Sequence, residues 1–143
     1  MENSSIQPHD VLTDYASVKE QVQGLSDAEF DVLCDGVAEH IFTSRPPAST
    51  LAPHFAALLR HAAERNPALA KALVATKMAA YTSQQGPHYS EENEEYLIDL
   101  SKQLHKIEDY RKAFTLIGEA IRSGQLPSST VPEVKAPEPT PES

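Results

Sequence analysis

One cysteine, Cys34, stands in a chain of 143 residues, which excludes an internal disulfide and any cysteine-rich zinc site. No stretch approaches the ~18 consecutive apolar residues of a membrane span. The opening "MENSSIQPHD" has neither a basic flank nor an apolar run, so it does not read as a secretory signal. Nowhere does G-x-x-x-x-G-K-[ST] occur, which removes the common phosphate loop. Basic residues are also scarce: 12 Lys and Arg face 21 Asp and Glu, a net charge of −9. An acidic molecule repels nucleic acid at long range, because phosphate binding depends on Lys and Arg releasing counterions. Any RNA contact must then be local, and a protein partner is the first expectation. The remaining profile is that of a cytoplasmic protein about one domain long.

The charge is unevenly placed. Residues 1–47 carry nine acids against Lys19 and Arg45, whereas residues 48–81 carry Glu64 alone against Arg60, Arg65, Lys71 and Lys77. From Pro127 the chain reads "PSSTVPEVKAPEPTPES", with five prolines in 17 residues and almost nothing apolar. Proline fixes φ and removes amide donors, so neither helix nor sheet is expected there. Three regions follow: a flexible N-terminus (1–7), a helical domain (8–126) and a disordered, acidic, proline-rich tail (127–143). The tail reads as a linker or frayed end more readily than as a ligand for a proline-binding module, since "PEPTP" lacks basic flanks.

Within 8–126 the pattern is helical throughout. Pro8 opens a first helix whose Leu12, Tyr15, Val18 and Val22 recur near the 3.6 period, and Gly24 stops it. In "LSDAEF", Ser26 and Glu29 form a capping box, with Leu25 and Phe30 at the staple positions. Phe30, Leu33, Val37 and Ile41 carry that second helix, with Cys34 beside them, until "SRPP" ends it near Thr43. A third helix starts near Ser49 or Thr50, takes Pro53 into its first turn and buries Phe55, Leu58, Leu59 and Ala62. Asn66 then caps a helix that begins at Pro67 and carries Ala68, Leu69, Leu73, Val74, Met78 and Tyr81. Ser90 caps "EENEEYLIDL", whose stripe of Leu97, Leu100, Leu104 and Ile107 continues as Tyr110, Phe114, Ile117 and Ile121. A short step in that stripe predicts a break or kink near residue 107. Gly124 is the expected C-cap, with Leu126 folding back on the last turn.

The fold class expected is all-α: antiparallel helix pairs, as a HEAT-like solenoid or a compact bundle. Phe30, Leu33, Phe55, Leu59, Leu73, Phe114 and Ile117 are the expected core. Truncating Phe114 to alanine should then cost about 3–5 kcal/mol.

No catalytic constellation emerges. His54 and His61 are two helical turns apart, roughly 10 Å, too far to ligate one metal ion. His61 with Glu64 supplies two ligands, which do not make a zinc site. Cys34 has no basic neighbour in sequence to lower its pKa and reads as a packed core thiol. Gly36 and Gly118 sit inside helices at about 1 kcal/mol each against alanine, for which close helix packing is the simplest reason. Neither a cofactor, a metal nor a small-molecule substrate is expected.

Three stretches together resemble a known family. "SVKEQVQGLSDAEFDVLCDGVAEHI" is similar to the opening helix pair of the middle domain of the eukaryotic initiation factor four-G family. "FAALLRHAAERNPALAKALVATKMAAY" resembles the next pair, and "YRKAFTLIGEAI" a later helix reading Arg, then Phe-Ile-Gly/Ala-Glu-Leu. "NPALAKAL" and the arginine before "TLIGEA" favour the branch that scaffolds nonsense-mediated mRNA decay. The resemblance spans residues 10–126 and implies a non-enzymatic scaffold that binds other decay or translation factors. It also implies that Phe114, Leu116 and Ile117 face the preceding helix pair, with Gly118 allowing close backbone approach. The family domain normally continues with further helix pairs, and its RNA-binding members carry basic surfaces that are thin here. A small acidic helical-bundle adaptor or chaperone unrelated to RNA is the other reading. In either case Arg60, Arg65, Lys71 and Lys77 form the candidate partner surface. They meet an acidic protein segment or an RNA backbone, or they neutralise the acidic helices on either side.

Overall fold

The structure is a computed structural model that describes residues 6–124. Of the expected flexible N-terminus only Ile6 and Gln7 fall within it. The expected tail and the fold-back of Leu126 lie outside the described residues. Among the described residues every regular element is helical, so the chain is all-α.

The expected first helix divides in two. Helix α1 (Pro8–Thr13) starts on a proline, whose missing N–H would have had no helical acceptor. Asp14 then leaves helical geometry at φ −157° and ψ 67°, and α2 (Tyr15–Gln23) begins anew. That break orphans the Tyr15 amide, which donates to His54 Nδ1 at 3.3 Å. Val11, Leu12, Tyr15 and Val22 are buried, and Val18 is partly so.

Helix α3 (Asp27–Ser44) begins with the expected capping box. Glu29 N–H donates to Ser26 Oγ at 3.1 Å, and Ser26 N–H donates to Glu29 Oε1 at 2.9 Å. Leu25 and Phe30 are both buried. The helix ends at Arg45, which adopts φ 44°, a left-handed conformation costly for a residue with a Cβ. Its guanidinium holds the corner by donating to Phe42 O at 3.0 Å and Asn93 Oδ1 at 2.9 Å.

Helix α4 (Ala48–Arg65) is the centre of the molecule. Half of its 18 residues are buried, too many for a surface helix with one apolar stripe. It packs against α1, α2, the segment after Asn66, and the last two helices, α7 (Glu91–Leu104) and α8 (Glu108–Arg122). A solenoid repeat would touch only its neighbours, so of the two expected architectures this is the compact bundle. Pro53 is the sixth residue of α4, one or two residues deeper than expected because the helix starts at Ala48. Asn66 caps the next helix through Oδ1, which accepts from Ala68 N–H at 3.1 Å.

That next helix is not uniform. After α5 (Pro67–Ala72) comes a π-helical segment, Leu73–Lys77, and then α6 (Ala79–Thr82). Met78 N–H donates to Leu73 O, five residues back, at 3.0 Å. The wider turn keeps Leu73 and Met78 both in the core. The 83–90 loop folds back on α6, with His88 N–H donating to Ala80 O at 2.9 Å. A Cβ at Gly86 would lie 2.6 Å from that same carbonyl oxygen, so only glycine fits the turn.

Helices α7 (Glu91–Leu104) and α8 (Glu108–Arg122) are separate, and the expected break falls at Ile107, which precedes α8. Ser90 Oγ caps α7 by accepting from Asn93 N–H at 3.1 Å. At the far end Ser123 is the C-cap and Gly124 follows it in left-handed geometry, φ 87°.

Two expectations for α8 are corrected. Its buried face is Tyr110, Ala113, Ile117 and Ala120. Phe114 lies next to Ala113, about 100° around the helix, and is 39% exposed. The core term expected for it is therefore absent. A Cβ on Gly118 would meet nothing closer than Arg122 Nη1 at 3.4 Å, so no neighbouring backbone approaches it. Gly36 does behave as expected: a Cβ there would come within 2.8 Å of Pro8 Cγ.

Candidate functional site

The four basic residues singled out from sequence sit along α4, α5 and the π-helical segment. Arg60 donates to Glu64 Oε2 at 3.1 Å and to Asp109 Oδ1 at 2.7 Å, tying α4 to the first turn of α8. Arg65 pairs with Asp27 at 3.0 Å and donates to Val22 O and Leu25 O. Its guanidinium also lies 5.2 Å from the Phe30 ring centre. One side chain thus closes the C-terminal end of α2, the start of α3 and the end of α4 together. Lys77 bridges Asp31 at 3.1 Å and Asp35 at 2.6 Å, two residues one turn apart on α3. Lys71 lies half-buried on α5. A partner using Arg60, Arg65 or Lys77 would have to open an intramolecular ion pair first.

Between α2, α4 and the start of α8 lies a cleft of about 500 Å³, bordered by Tyr15, Lys19, His54, Arg60, His61 and Glu64. Its chemistry is largely internal. His54 caps α2, and Arg60 is held by two carboxylates. Burial, then Arg65, pushes His61 below the ordinary imidazole range. Cys34 is fully buried in the core, and burial pushes its thiol up to about 12. A thiol held in that form is a poor nucleophile and a poor metal ligand. Among the described residues no group of three or more His, Cys, Asp or Glu is placed to hold a metal ion.

Exposed apolar residues also occur on α3, where Val32 is exposed, and on α7 and α8. Ile98 is 53% exposed and Phe114 39%. Each borders a shallow groove, and the two grooves share His105 at the corner between the helices. An aromatic row lines that corner: His105 to Tyr110 at 5.2 Å, then Tyr110 to Phe114 at 4.8 Å. Arg111 donates to His105 O at 2.8 Å, which satisfies a carbonyl left open where α7 ends. Lys102 and Lys106 complete the rim. None of the residues bordering either groove is a carboxylate.

In the sequence this surface is carried by Phe114, which the apolar stripe of α8 assigns to the core, and by Ile98, which falls outside the α7 stripe. Comparison of the chain with family models, with curated proteins and with solved structures finds no match. Among the described residues, no helix is long and apolar enough to cross a membrane.

Proposed function

We propose that the chain is a non-enzymatic helical scaffold that binds protein partners, and that it works in cytoplasmic mRNA decay or translation. The observation that carries the scaffold reading is the α7–α8 surface, where Ile98 and Phe114 present apolar area beside a carboxylate-free rim. The two residues border adjoining grooves that meet at His105, and exposed apolar area beside such grooves is a mark of interaction surfaces. The resemblance of residues 10–126 to the initiation factor four-G middle domain supports the cellular setting. Direct RNA binding is the weaker part of the reading, since the chain carries a net charge of −9.

The test is proximity labelling in cells by the full chain and by its Ile98→Asp/Phe114→Asp variant. Decay or translation proteins should label with the parent chain and be lost with the variant. Their retention by the variant would remove the surface from the reading. A reproducible partner set free of RNA-processing proteins would point instead to an acidic bundle adaptor or chaperone.

A further inference from the structure

The α7–α8 grooves differ from the rest of the molecule in charge. The chain holds 21 acids and 12 Lys and Arg, yet the residues bordering the two grooves include Lys102, Lys106 and Arg111 and no acid. Elsewhere, Arg60, Arg65, Lys77 and Lys112 each pair with a carboxylate. Among the described residues Lys102 and Lys106 have no such partner. The dipole of α7 accounts for a cation in its last turn, where Lys102 lies. Lys106 follows the C-cap His105 at the same end of the helix. Lys102 and Lys106 are one turn apart in spacing, and both are exposed. They flank the apolar strip that runs from Leu97 and Ile98 past His105 to Tyr110 and Phe114.

We infer that this strip receives an acidic amphipathic helix from a protein partner. Apolar side chains at helical spacing would lie against Ile98 and Phe114, as in other helix-in-groove recognition, while the largely buried Tyr110 supports the Phe114 ring. Carboxylates on either flank would meet Lys102, Lys106 and Arg111. Three cations in an acidic protein suit such a segment better than an RNA backbone. An RNA ligand would gain little counterion release here and would meet long-range repulsion from the remaining charge. Charge at a groove rim chiefly sets partner choice and association rate, while the apolar anchors set residence time. The inference names the partner chemistry of the surface already proposed as functional and rests on that reading.

Selection of peptides of about 16 residues, displayed on phage against the immobilised full chain, tests it. Enriched peptides should carry Asp or Glu flanking apolar residues at three- and four-residue spacing. In fluorescence anisotropy they should lose about tenfold or more in affinity for Ile98→Asp/Phe114→Asp and for Lys102→Glu/Lys106→Glu. The charge-reversed variant should also lose the salt dependence of binding. All four side chains are exposed, so the lysine variants should melt with the parent and the Ile98/Phe114 variant within about 5 °C of it; Lys102→Ala/Lys106→Ala provides a graded version. Any of several results overturns the inference: no enrichment, basic or uncharged consensus peptides, or equal binding by the variants. So does tighter binding at the same strip by oligouridine RNA, by a synthetic peptide of residues 125–143, or by a second copy of the chain in sedimentation. If acidic peptides fail while cellular partners are still lost from the Ile98/Phe114 variant, only the acidic-helix identity falls. If the cellular partners are retained, the adaptor surface itself falls.

Discussion

Gly36 and Gly118 occupy interior positions of α3 and α8, and their replacement by alanine should give opposite results. Glycine in a helix interior is about 0.8–1.0 kcal/mol less favourable than alanine, through the backbone freedom lost on folding. At Gly118 nothing opposes that gain. The new methyl would meet only the far end of Arg122 at 3.4 Å. Gly118→Ala should therefore stabilise by about 1 kcal/mol, or roughly 4 °C in a domain of this size. At Gly36 the methyl would sit 2.8 Å from Pro8 Cγ. The proline ring cannot rotate away, and α1 is anchored by Val11 and Leu12, both in the core. Overpacking of this kind costs about 1–3 kcal/mol, so Gly36→Ala should be neutral to about 2 kcal/mol destabilising. The decisive assay is a double-mutant cycle with Pro8→Ala, followed by urea and thermal denaturation. Removing the ring should restore the helix-propensity gain, giving a coupling of about 1–3 kcal/mol between positions 8 and 36. Equal stabilisation by Gly36→Ala and Gly118→Ala, or zero coupling, would refute the packing argument.

Phe55→Ala should cost about 3–5 kcal/mol, while Phe114→Ala should cost under about 1 kcal/mol; comparable losses in denaturant melts would return Phe114 to the core. Cys34 should resist a thiol reagent at about pH 8 in the native chain and react at once in denaturant, and a fast native reaction would contradict its burial. His61 should contribute a pH-dependent loss of stability. Its imidazole is held below its ordinary value, so the folded state favours the neutral ring. The stability is therefore intact above the unfolded value of about 6.5 and falls as pH drops through and below it. Urea melts of His61→Gln should show a shallower slope in that window than the parent, and an unchanged slope would remove His61 as a source.

Local signals in the sequence carried the helix boundaries well. The Ser26–Glu29 box, the Asn66–Pro67 start and the Ser90 cap are short-range hydrogen-bond chemistry, and each helix begins where that chemistry requires. The break at Ile107 was visible as a short step in an apolar stripe. What local pattern could not show was geometry imposed from a distance. The interruption at Asp14 leaves an amide that is satisfied by His54, 39 residues away. The π-helical turn at Leu73–Lys77 lets Lys77 reach Asp31 and Asp35 on α3. Phe114 fits the stripe Tyr110–Phe114–Ile117 as well as Ala113 fits Tyr110–Ala113–Ile117. Side-chain size favoured the phenylalanine; the close approach of α4 and α8 favoured the alanine.

Charge in the folded chain is distributed differently from charge along the sequence. Formal charge by segment shows an acidic stretch to residue 47 and a basic one from 48 to 81. Each of those imbalances suggests a surface waiting for a partner. In the folded chain they meet one another. Asp27 takes Arg65, and Asp31 and Asp35 take Lys77, while Asp109 reaches across from α8 to Arg60. The basic segment is thus partly matched inside the molecule, at positions that join α3 and α8 to the centre of the bundle. Such pairs contribute modestly to stability where exposed, but they fix which acids lie against which helix. Lys102 and Lys106 are different because α7 follows its acids with cations. Glu91, Glu92 and Glu94 sit in its first turn and Lys102 in its last; Glu95 and Asp99 lie between them, but neither borders the groove. A charge count over residues 82–126 averages these ends to a small net value and hides both. Placement along one helix axis, which only the folded chain displays, turns an unremarkable segment into the carboxylate-free rim of the one docking surface proposed for it.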